Sequence, residues 1–254
     1  MSVSLVLVIA TREFKSLFLS PLAWSILAVL QVILGYLFLN QVETFSLIQA
    51  KLVGMEGAPG LTDIVVTTLF SNAGIILLLV TPLLTMRLIC EERRNKTLSL
   101  LLSAPISNSD IIIGKYLGTL GLLLVIVALI ALMPLFLLMG GELDNGKFFA
   151  NFLALNLLVA GFSAVGLFMS TVAGHPTVAA IGSIGILLLL WILDWTNSIK
   201  DQRSELFEYL SILRHFQAIQ SGQINSMDLC YFVLFIATFL LLSIRHLANE
   251  RFQK

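Results

Sequence analysis

Long apolar runs separated by short polar segments dominate the chain, and several are long enough to cross a lipid bilayer. A membrane-spanning helix needs about 20 largely apolar residues and must satisfy its backbone hydrogen bonds internally. The pattern predicts an all-α polytopic membrane protein with one transmembrane domain over residues 1–254 and both termini on the same side. Its six predicted spans are residues 21–41, 64–86, 112–139, 148–172, 177–196 and 227–247.

Two further segments have the three- and four-residue apolar spacing of amphipathic helices. Residues 1–20 are predicted to form a helix in the headgroup layer, with Arg12 and Lys15 opposite an apolar stripe. The alternative is a disordered leader, and no cleavable signal peptide is expected. The outer loop 197–226 is predicted to carry a second such helix, which Gly222 would end. The apolar stripes are Val3, Val6, Leu7, Ala10, Phe14 and Leu17 in the first helix, and Leu206, Tyr209, Leu210, Leu213 and Phe216 in the second.

Composition supports the membrane assignment and narrows the chemistry. Apolar residues make up 58% of the chain and charged residues 12%, roughly half the share of a soluble domain. The formal net charge is +0, which indicates no nucleic-acid partner. The two cysteines, Cys90 and Cys230, are predicted to lie at opposite membrane faces, so neither a disulfide nor a metal site is expected.

The distribution of Lys and Arg sets the predicted orientation. Both termini and the loop 87–111 share one side of the membrane with the short turn at His175. Five of the 15 basic residues fall on the other side, and the remaining ten fall on this one. The five are Lys51, Lys147, Lys200, Arg203 and Arg214. We therefore expect a multi-pass membrane protein with both termini in the cytoplasm.

The predicted span interiors are polar in places but nearly free of charge. Ion-coupled transporters generally need buried acids, histidines or lysines as relay groups. Here Asp194 lies near the outer end of its span, and Lys115 and Arg245 lie near the inner ends of theirs, where their long side chains are expected to reach water. Gln31, Asn72 and Asn156 are candidate pathway-lining residues, although helix–helix hydrogen bonding is the more ordinary role. The chain has no GxxxxGK[ST] loop, so any energy for uphill transport must come from another chain.

Glycine and serine residues four positions apart predict close helix packing. Gly166, Ser170 and Gly174 follow this spacing in the fourth predicted span, and Gly114 and Gly118 follow it at the start of the third. Small side chains allow helix backbones to approach each other closely within a membrane. Because such spacings are common in helical membrane bundles, they indicate packing and not a particular function.

The loop 87–111 carries the most informative pattern. A charged cluster leads into a short leucine-rich helix that Pro105 is expected to stop. Ser107 and Asp110 have the spacing of a capping box at the start of the third span. A short helix held between two spans is suited to transmitting force from a soluble partner. A positive-inside cluster followed by a turn explains the same residues equally well.

The loop resembles the signature of ABC-2 type transporter permeases, most closely the gliding-motility and multicopper-enzyme-maturation branch. The matching residues are Glu91-Glu92-Arg93-Arg94, Thr97-Leu98, Leu101-Leu102, Pro105-Ile106-Ser107 and Gly114-Lys115, with a weaker second match at Gly222, Asp228, Tyr231 and Phe232. Two positions depart from the family pattern. Lys96 stands where a glycine is usual, and Ser99 stands where an acid is usual.

The resemblance implies a permease subunit that couples ATP hydrolysis on a separate ATP-binding subunit to translocation, with a bias towards export. ATP and Mg²⁺ would bind that partner, and this chain would carry no cofactor and no catalytic residue. A second permease chain, identical or related, would complete a pathway that works by alternating access. A coupling helix from Glu91 to Pro105 would enter a cleft in the ATPase. The implied partner-coupling residues are Glu91, Glu92, Thr97, Leu98, Leu101, Leu102 and Pro105.

Two other functions fit parts of the sequence. Gly161-Phe162-Ser163-Ala164 imitates the nucleophile motif of rhomboid-like intramembrane serine proteases, and His246 follows the sixth span. A serine nucleophile needs a base within hydrogen-bond reach, however, and these two residues are predicted at different membrane depths. The other alternative is a membrane anchor that tethers an ATPase complex without transporting anything.

Overall fold

The computed structural model describes residues 3–52, 60–98, 106–139, 144–197, 210–223 and 225–252, and over these residues the protein is all-α. Leu101, Leu102 and Pro105 lie outside the described residues, as do Leu206 and Tyr209. The helices are α1 (Val3–Phe18), α2 (Pro21–Leu52), α3 (Thr67–Thr85), α4 (Cys90–Arg94), α5 (Asn108–Leu135), α6 (Asn145–Val172), α7 (Pro176–Asn197), α8 (Ile212–Gln220) and α9 (Ser226–Phe252). A π-helical turn, Thr62–Val66, precedes α3, and a 3₁₀ turn, Phe136–Met139, follows α5.

The predicted polytopic all-α fold is confirmed. Among the described residues, 5 helices are long and apolar enough to cross a membrane. They are Pro21–Gln49, Thr62–Arg94, Asn108–Leu135, Asn145–Val172 and Ser226–Glu250. In α7 the apolar stretch Pro176–Ile192 is shorter, and it occupies the place of the fifth predicted span. The total of six crossings therefore remains a prediction.

Helix α6 is the centre of the bundle, in contact with α3, α5, α7, α8 and α9. Its apolar side chains are fully buried along most of its length, including Leu155, Leu158 and Phe162. Gly166 brings α6 against α3 so closely that a Cβ at this position would lie 2.8 Å from the Cβ of Thr85. The close packing predicted from Gly166 is confirmed, whereas a Cβ at Gly174 would meet nothing within 4 Å.

Helix α1 runs alongside the first turns of α5 instead of standing apart from the bundle. A Cβ at Gly114 would lie 2.7 Å from the Cβ of Ile9, and one at Gly118 would lie 2.7 Å from the carbonyl oxygen of Ala10. Later residues of α1 thus contact later residues of α5, so the two helices run parallel. Of the predicted apolar stripe of α1, Val6 is buried, whereas Leu7 remains exposed.

The predicted outer helix packs its apolar face against the bundle and leaves Arg214 and Gln217 exposed. Its described part, α8, buries Ile212, Phe216 and Ile219 completely. The Phe216 ring packs on α3 at Gly74 and lies 6.4 Å from the Trp191 ring of α7. The periodicity identified this apolar face but not the helices that cover it. Gly222 ends this segment with φ +86°, as expected of a left-handed glycine.

The α1–α5 contact predicts opposite effects for two glycine substitutions. Gly118→Ala should destabilise the protein by about 1–3 kcal/mol, because its methyl group would overlap the backbone of α1. Gly185→Ala, in α7 with nothing within 4 Å, should be neutral or stabilising by up to about 1 kcal/mol. Thermal unfolding of the detergent-solubilised variants measures both. Equal shifts would show that α1 does not depend on close approach at Gly118.

Candidate functional site at the α4 end of the bundle

The charged loop residues predicted to meet a partner lie where five helices converge. We call this region the α4 end; it comprises α4, the facing part of α1, the first turns of α5 and the last turns of α6 and α9. The opposite end, which contains the π-helical turn and α8, is the distal end. Three polar contacts fix α4 to its neighbours, and each uses a different side chain.

The first contact is the hydroxyl group of Ser170 in α6. The backbone N–H groups of Ile89 and Cys90 donate to its Oγ at 3.0 and 3.2 Å, and the hydroxyl itself donates to the carbonyl oxygen of Met86 at 3.0 Å. These backbone groups lie at the break between α3 and α4, where helical hydrogen bonding is interrupted. One serine hydroxyl therefore satisfies three backbone groups at the junction of α3 and α4. It also sets the direction in which α4 leaves α3.

The second contact is the Arg93 guanidinium, which closes the C-terminal end of α6. It donates to the carbonyl oxygens of Thr171 at 2.7 Å and Ala173 at 2.5 Å, and it pairs with the Glu250 carboxylate of α9 at 2.5 Å. A cation is favourable at a helix C-terminus because the last carbonyl groups lack partners and carry partial negative charge. Arg93 consequently ties α4 to two spans at once.

The third contact is an ion-pair triad centred on Lys115 of α5. Its Nζ lies 2.8 Å from Glu92 Oε1 of α4 and 3.2 Å from Glu13 Oε2 of α1, and its side chain is 5% exposed. From sequence, the lysine was expected to extend to water at the membrane edge. That expectation was wrong, because two carboxylates from neighbouring helices surround the ammonium group within the protein. The other Glu92 oxygen, Oε2, is buried without a hydrogen-bond partner among the described residues.

Beyond α4 the chain turns sharply, so the described part of the loop is not one continuous helix from Glu91. Helix α4 ends at Arg94, and Lys96 has φ +57°, the one positive φ of a non-glycine residue within the described ranges. This is the position where the resembled family usually has glycine, which enters the left-handed region without steric cost. The position at which Lys96 replaces the family's usual glycine is therefore a left-handed backbone turn.

After the turn, Leu98 points into the bundle and is 3% exposed. It packs in a cluster with Leu88, Ile89 and Ile111 of this same chain. Arg94, Asn95, Lys96 and Thr97 remain exposed, whereas Glu91 is partly buried. Of the described residues predicted to meet the partner, Glu92 and Leu98 thus hold the segment to the bundle, and Thr97 lies on the surface.

At the start of α5 the structure shows the Ser107 half of the predicted capping box. The Ser107 Oγ accepts a hydrogen bond from the backbone N–H of Asp110 at 3.1 Å, with Ser107 in the extended conformation of an N-cap. The cap fixes where the loop re-enters the bundle, eight positions before Lys115.

The candidate pathway residues are half-buried and belong to three different helices. Gln31 lies in α2, Asn72 in α3 and Asn156 in α6. The Asn156 amide donates within its own helix to the carbonyl oxygen of Phe152 at 2.7 Å. In the described part of the chain no hydrogen bond joins any two of these three residues. Their pathway role stays a prediction.

The geometry around Ser163 does not support a protease function. Its hydroxyl donates to the carbonyl oxygen of Ala160 at 2.9 Å within α6, and the Tyr116 hydroxyl donates to the same oxygen at 3.1 Å. No hydrogen bond connects Ser163 to a histidine among the residues that the structure describes. The buried hydroxyl serves helix packing.

The second motif that resembles the family, which includes Asp228 and Tyr231, lies at the distal end and connects α8 to α9. Asp228 Oδ1 lies 2.6 Å from His215 Nδ1, and the Tyr231 ring stacks on the His215 ring at 4.0 Å. The Tyr231 hydroxyl donates to the carbonyl oxygen of Leu210 at 3.0 Å. The sequence pointed to Asp228 and Tyr231 but not to His215, which stands alone in the outer loop.

Comparison with known protein families agrees with this architecture. The profile of the ABC-2 family transporter proteins matches residues 7–251, which is nearly the whole chain. The protein therefore belongs to the ABC-2 transporter family and is a transmembrane transport subunit, a multi-pass membrane protein that is not itself catalytic. No curated protein matches the chain closely enough to count as a relative. The match is to the family as a whole, and the gliding-motility branch stays a prediction.

Removing Lys115 should destabilise the protein strongly. Lys115→Met leaves the partly exposed Glu13 and Glu92 carboxylates facing each other without a cation, which we expect to cost about 1–3 kcal/mol. Adding Glu13→Gln and Glu92→Gln should recover part of the loss. The control is Lys147→Met at the distal end, where the ammonium pairs with Asp63 at 2.6 Å but is 36% exposed, so the cost should be about 0–1 kcal/mol. Thermal unfolding in detergent compares them; similar losses would contradict the triad's importance.

The left-handed turn predicts that glycine stabilises position 96. Lys96→Gly should raise the unfolding free energy by up to about 1 kcal/mol, because the Cβ penalty at φ +57° disappears. Asn95→Gly, where φ is −82°, should lower it by about 0.5 kcal/mol through added unfolded-state entropy. The two melting temperatures should shift in opposite directions. A lower melting temperature for Lys96→Gly would mean that the lysine side chain outweighs the backbone strain.

Proposed function

We propose that this chain is the permease subunit of an ABC exporter, with the α4 end receiving motion from a separate ATP-binding subunit. The observation that carries the proposal is that α4 is tied to four other helices by Ser170, Arg93 and the Lys115 triad. A partner that displaces α4 would displace α1, α5, α6 and α9 with it, since buried ion pairs and helix-capping contacts resist stretching. The segment thus has the mechanical connections that a coupling element requires.

The docking surface we propose is the exposed turn from Arg94 to Thr97, with Glu91 at its edge. Leu101, Leu102 and Pro105 follow it directly in sequence, and they supply the apolar part of the contact in this proposal. Exposed charges favour orientation and the rate of association, whereas buried apolar contacts hold a complex together. The two halves of the loop therefore contribute different properties to one interface.

A second permease chain completes the transport unit in this proposal. The outward face of α2 exposes large apolar side chains, among them Val29, Val32 and Leu39, which suit either lipid or another permease helix. ATP and its Mg²⁺ bind the partner subunits, and this chain holds neither. The excess of Lys and Arg on the side of the α4 end supports cytoplasmic termini in a bacterial inner membrane, where a soluble ATPase reaches that end.

Assembly and coupling should be separable by two substitutions. Leu101→Asp should reduce co-purification of the ATP-binding subunit by about ten-fold or more, because a charge replaces an apolar contact. Glu92→Gln should leave co-purification intact but reduce stimulation of ATP hydrolysis in reconstituted vesicles, because it weakens the link between α4 and Lys115. The partner is identified first, by mass spectrometry of the complex that co-purifies with the unaltered chain.

The matched control is Arg245→Asp, which adds an acid at an exposed position of α9 outside the loop. It should retain both the ATPase and its stimulation. If Leu101→Asp keeps the ATPase bound and Glu92→Gln keeps full stimulation, the α4 end is not the coupling site. Retention of the ATPase by the unaltered chain, without transport of any substrate in either direction, would identify an anchor instead.

A further inference from the structure

Polar side chains within the spans are turned into the chain's own core. The Thr119 hydroxyl donates to the carbonyl oxygen of Lys115 at 3.0 Å, and the Ser183 hydroxyl donates to that of Ala179 at 2.7 Å. Both residues are fully buried, and large apolar side chains such as Phe162 fill the rest of the core. The interior of the described bundle is therefore occupied. A path for substrate has to run along its outer faces, where the second permease chain meets it in the proposed function.

The outer faces of α2, α3, α5, α7 and α9 are apolar. Exposed hydroxyl groups on them are satisfied within their own helices, since Ser25 donates to the carbonyl oxygen of Pro21 at 2.7 Å and Thr238 to that of Leu234 at 2.7 Å. Large aliphatic side chains form the rest of each face and are exposed on every one of these helices. Examples are Val32 of α2, Leu79 of α3, Leu132 of α5, Ile181 of α7 and Leu234 of α9.

Charged residues lie only towards the ends of these helices. Between Asp63 and Arg87 the chain contains none, and between Lys115 and Glu142 it again contains none. The charge-free stretches are residues 21–42 in α2, 64–86 in the π-helical turn and α3, 116–139 in α5 and the turn after it, 176–192 in α7 and 229–244 in α9. At 1.5 Å per residue these stretches are about 24–36 Å long, which matches the roughly 30 Å of a bilayer core.

A path along such faces excludes a charged solute. An ion that leaves water there loses its hydration and meets no group of opposite charge, so its transfer is strongly unfavourable. Because each outer face has this character, the conclusion does not depend on which faces the two permease chains turn towards each other. An apolar molecule, in contrast, gains from leaving water along the whole length of the path.

We propose that the compound this protein moves is lipophilic and uncharged, and that it enters the path from the bilayer. This inference rests on the transport function proposed above and names its substrate class. Hydroxyl and amide groups are the polar groups that the compound can carry, since the exposed Tyr36 and the half-buried Asn72 can hydrogen-bond to them. Inorganic ions, phosphorylated sugars and charged peptides fall outside this class.

The test measures ATP-dependent accumulation in vesicles that contain the full chain together with the ATP-binding subunit that co-purifies with it. An extract of the native host cells is divided into an organic and an aqueous phase, and each is added separately with ATP or with a non-hydrolysable analogue. Mass spectrometry identifies the compounds that ATP enriches in the vesicles. We expect about ten-fold enrichment of one or a few uncharged compounds from the organic phase, and none from the aqueous phase.

The possible results separate the substrate class from the transport function. Enrichment of an inorganic ion, or of any compound that is charged at neutral pH, would overturn the substrate class and leave the transport function standing. If neither phase gives enrichment although the ATPase stays bound, the transport function fails and the substrate class fails with it.

Two variants test whether the path avoids the core. Ser183→Ala removes a buried hydroxyl and should leave the enriched compounds unchanged. Glu92→Gln, which acts on coupling, should reduce the enrichment of the same compounds without changing their identity. Melting temperatures confirm that both variants are folded. A different set of compounds with Ser183→Ala would route the substrate through the core and would overturn the proposal.

Discussion

The arrangement of the α4 end depends on one buried ammonium group, that of Lys115. A lysine taken out of water is unfavourable unless carboxylates surround it, and here the carboxylates come from α1 and α4, two segments far apart in sequence. Neither helix can move away without leaving a charge unpaired. The glycines on α5 have a supporting role, because Gly114 and Gly118 let α1 come close enough for Glu13 to reach the lysine. Packing and electrostatics therefore fix the same three helices.

The distal end is held by a different kind of interaction. There the main contacts are aromatic packing of Phe216 and Tyr231, together with the buried hydrogen bond between His215 and Asp228. The exposed pair of Lys147 and Asp63 adds little, since water competes for both charges. The two ends of the bundle thus differ in character. The α4 end is joined mainly through ion pairs, and the distal end is joined mainly through buried aromatic packing.

Much of this architecture is readable from sequence because hydrophobic length and periodicity report it directly. The helices, the cap at Ser107 and the glycine stop at Gly222 follow from local rules that need no knowledge of neighbours. What failed depended on distant contacts. Lys115 was expected to reach water because nothing local reveals that Glu13 and Glu92 converge on it. The helices that cover the apolar face of α8 were not predictable for the same reason, since α3 and α6 lie far from it in sequence.

The burial of α8 has a consequence for the order in which the protein assembles. This helix carries Arg214, His215 and Gln217, so it is too polar and too short to enter a bilayer by itself. Its pocket exists only after α3, α6 and α7 have come together, and its hydrogen bond to Asp228 also requires α9. Closure of the distal end must therefore follow insertion of the spans on both sides of it. In this order of events, α8 docks only after the helices that cover it have assembled.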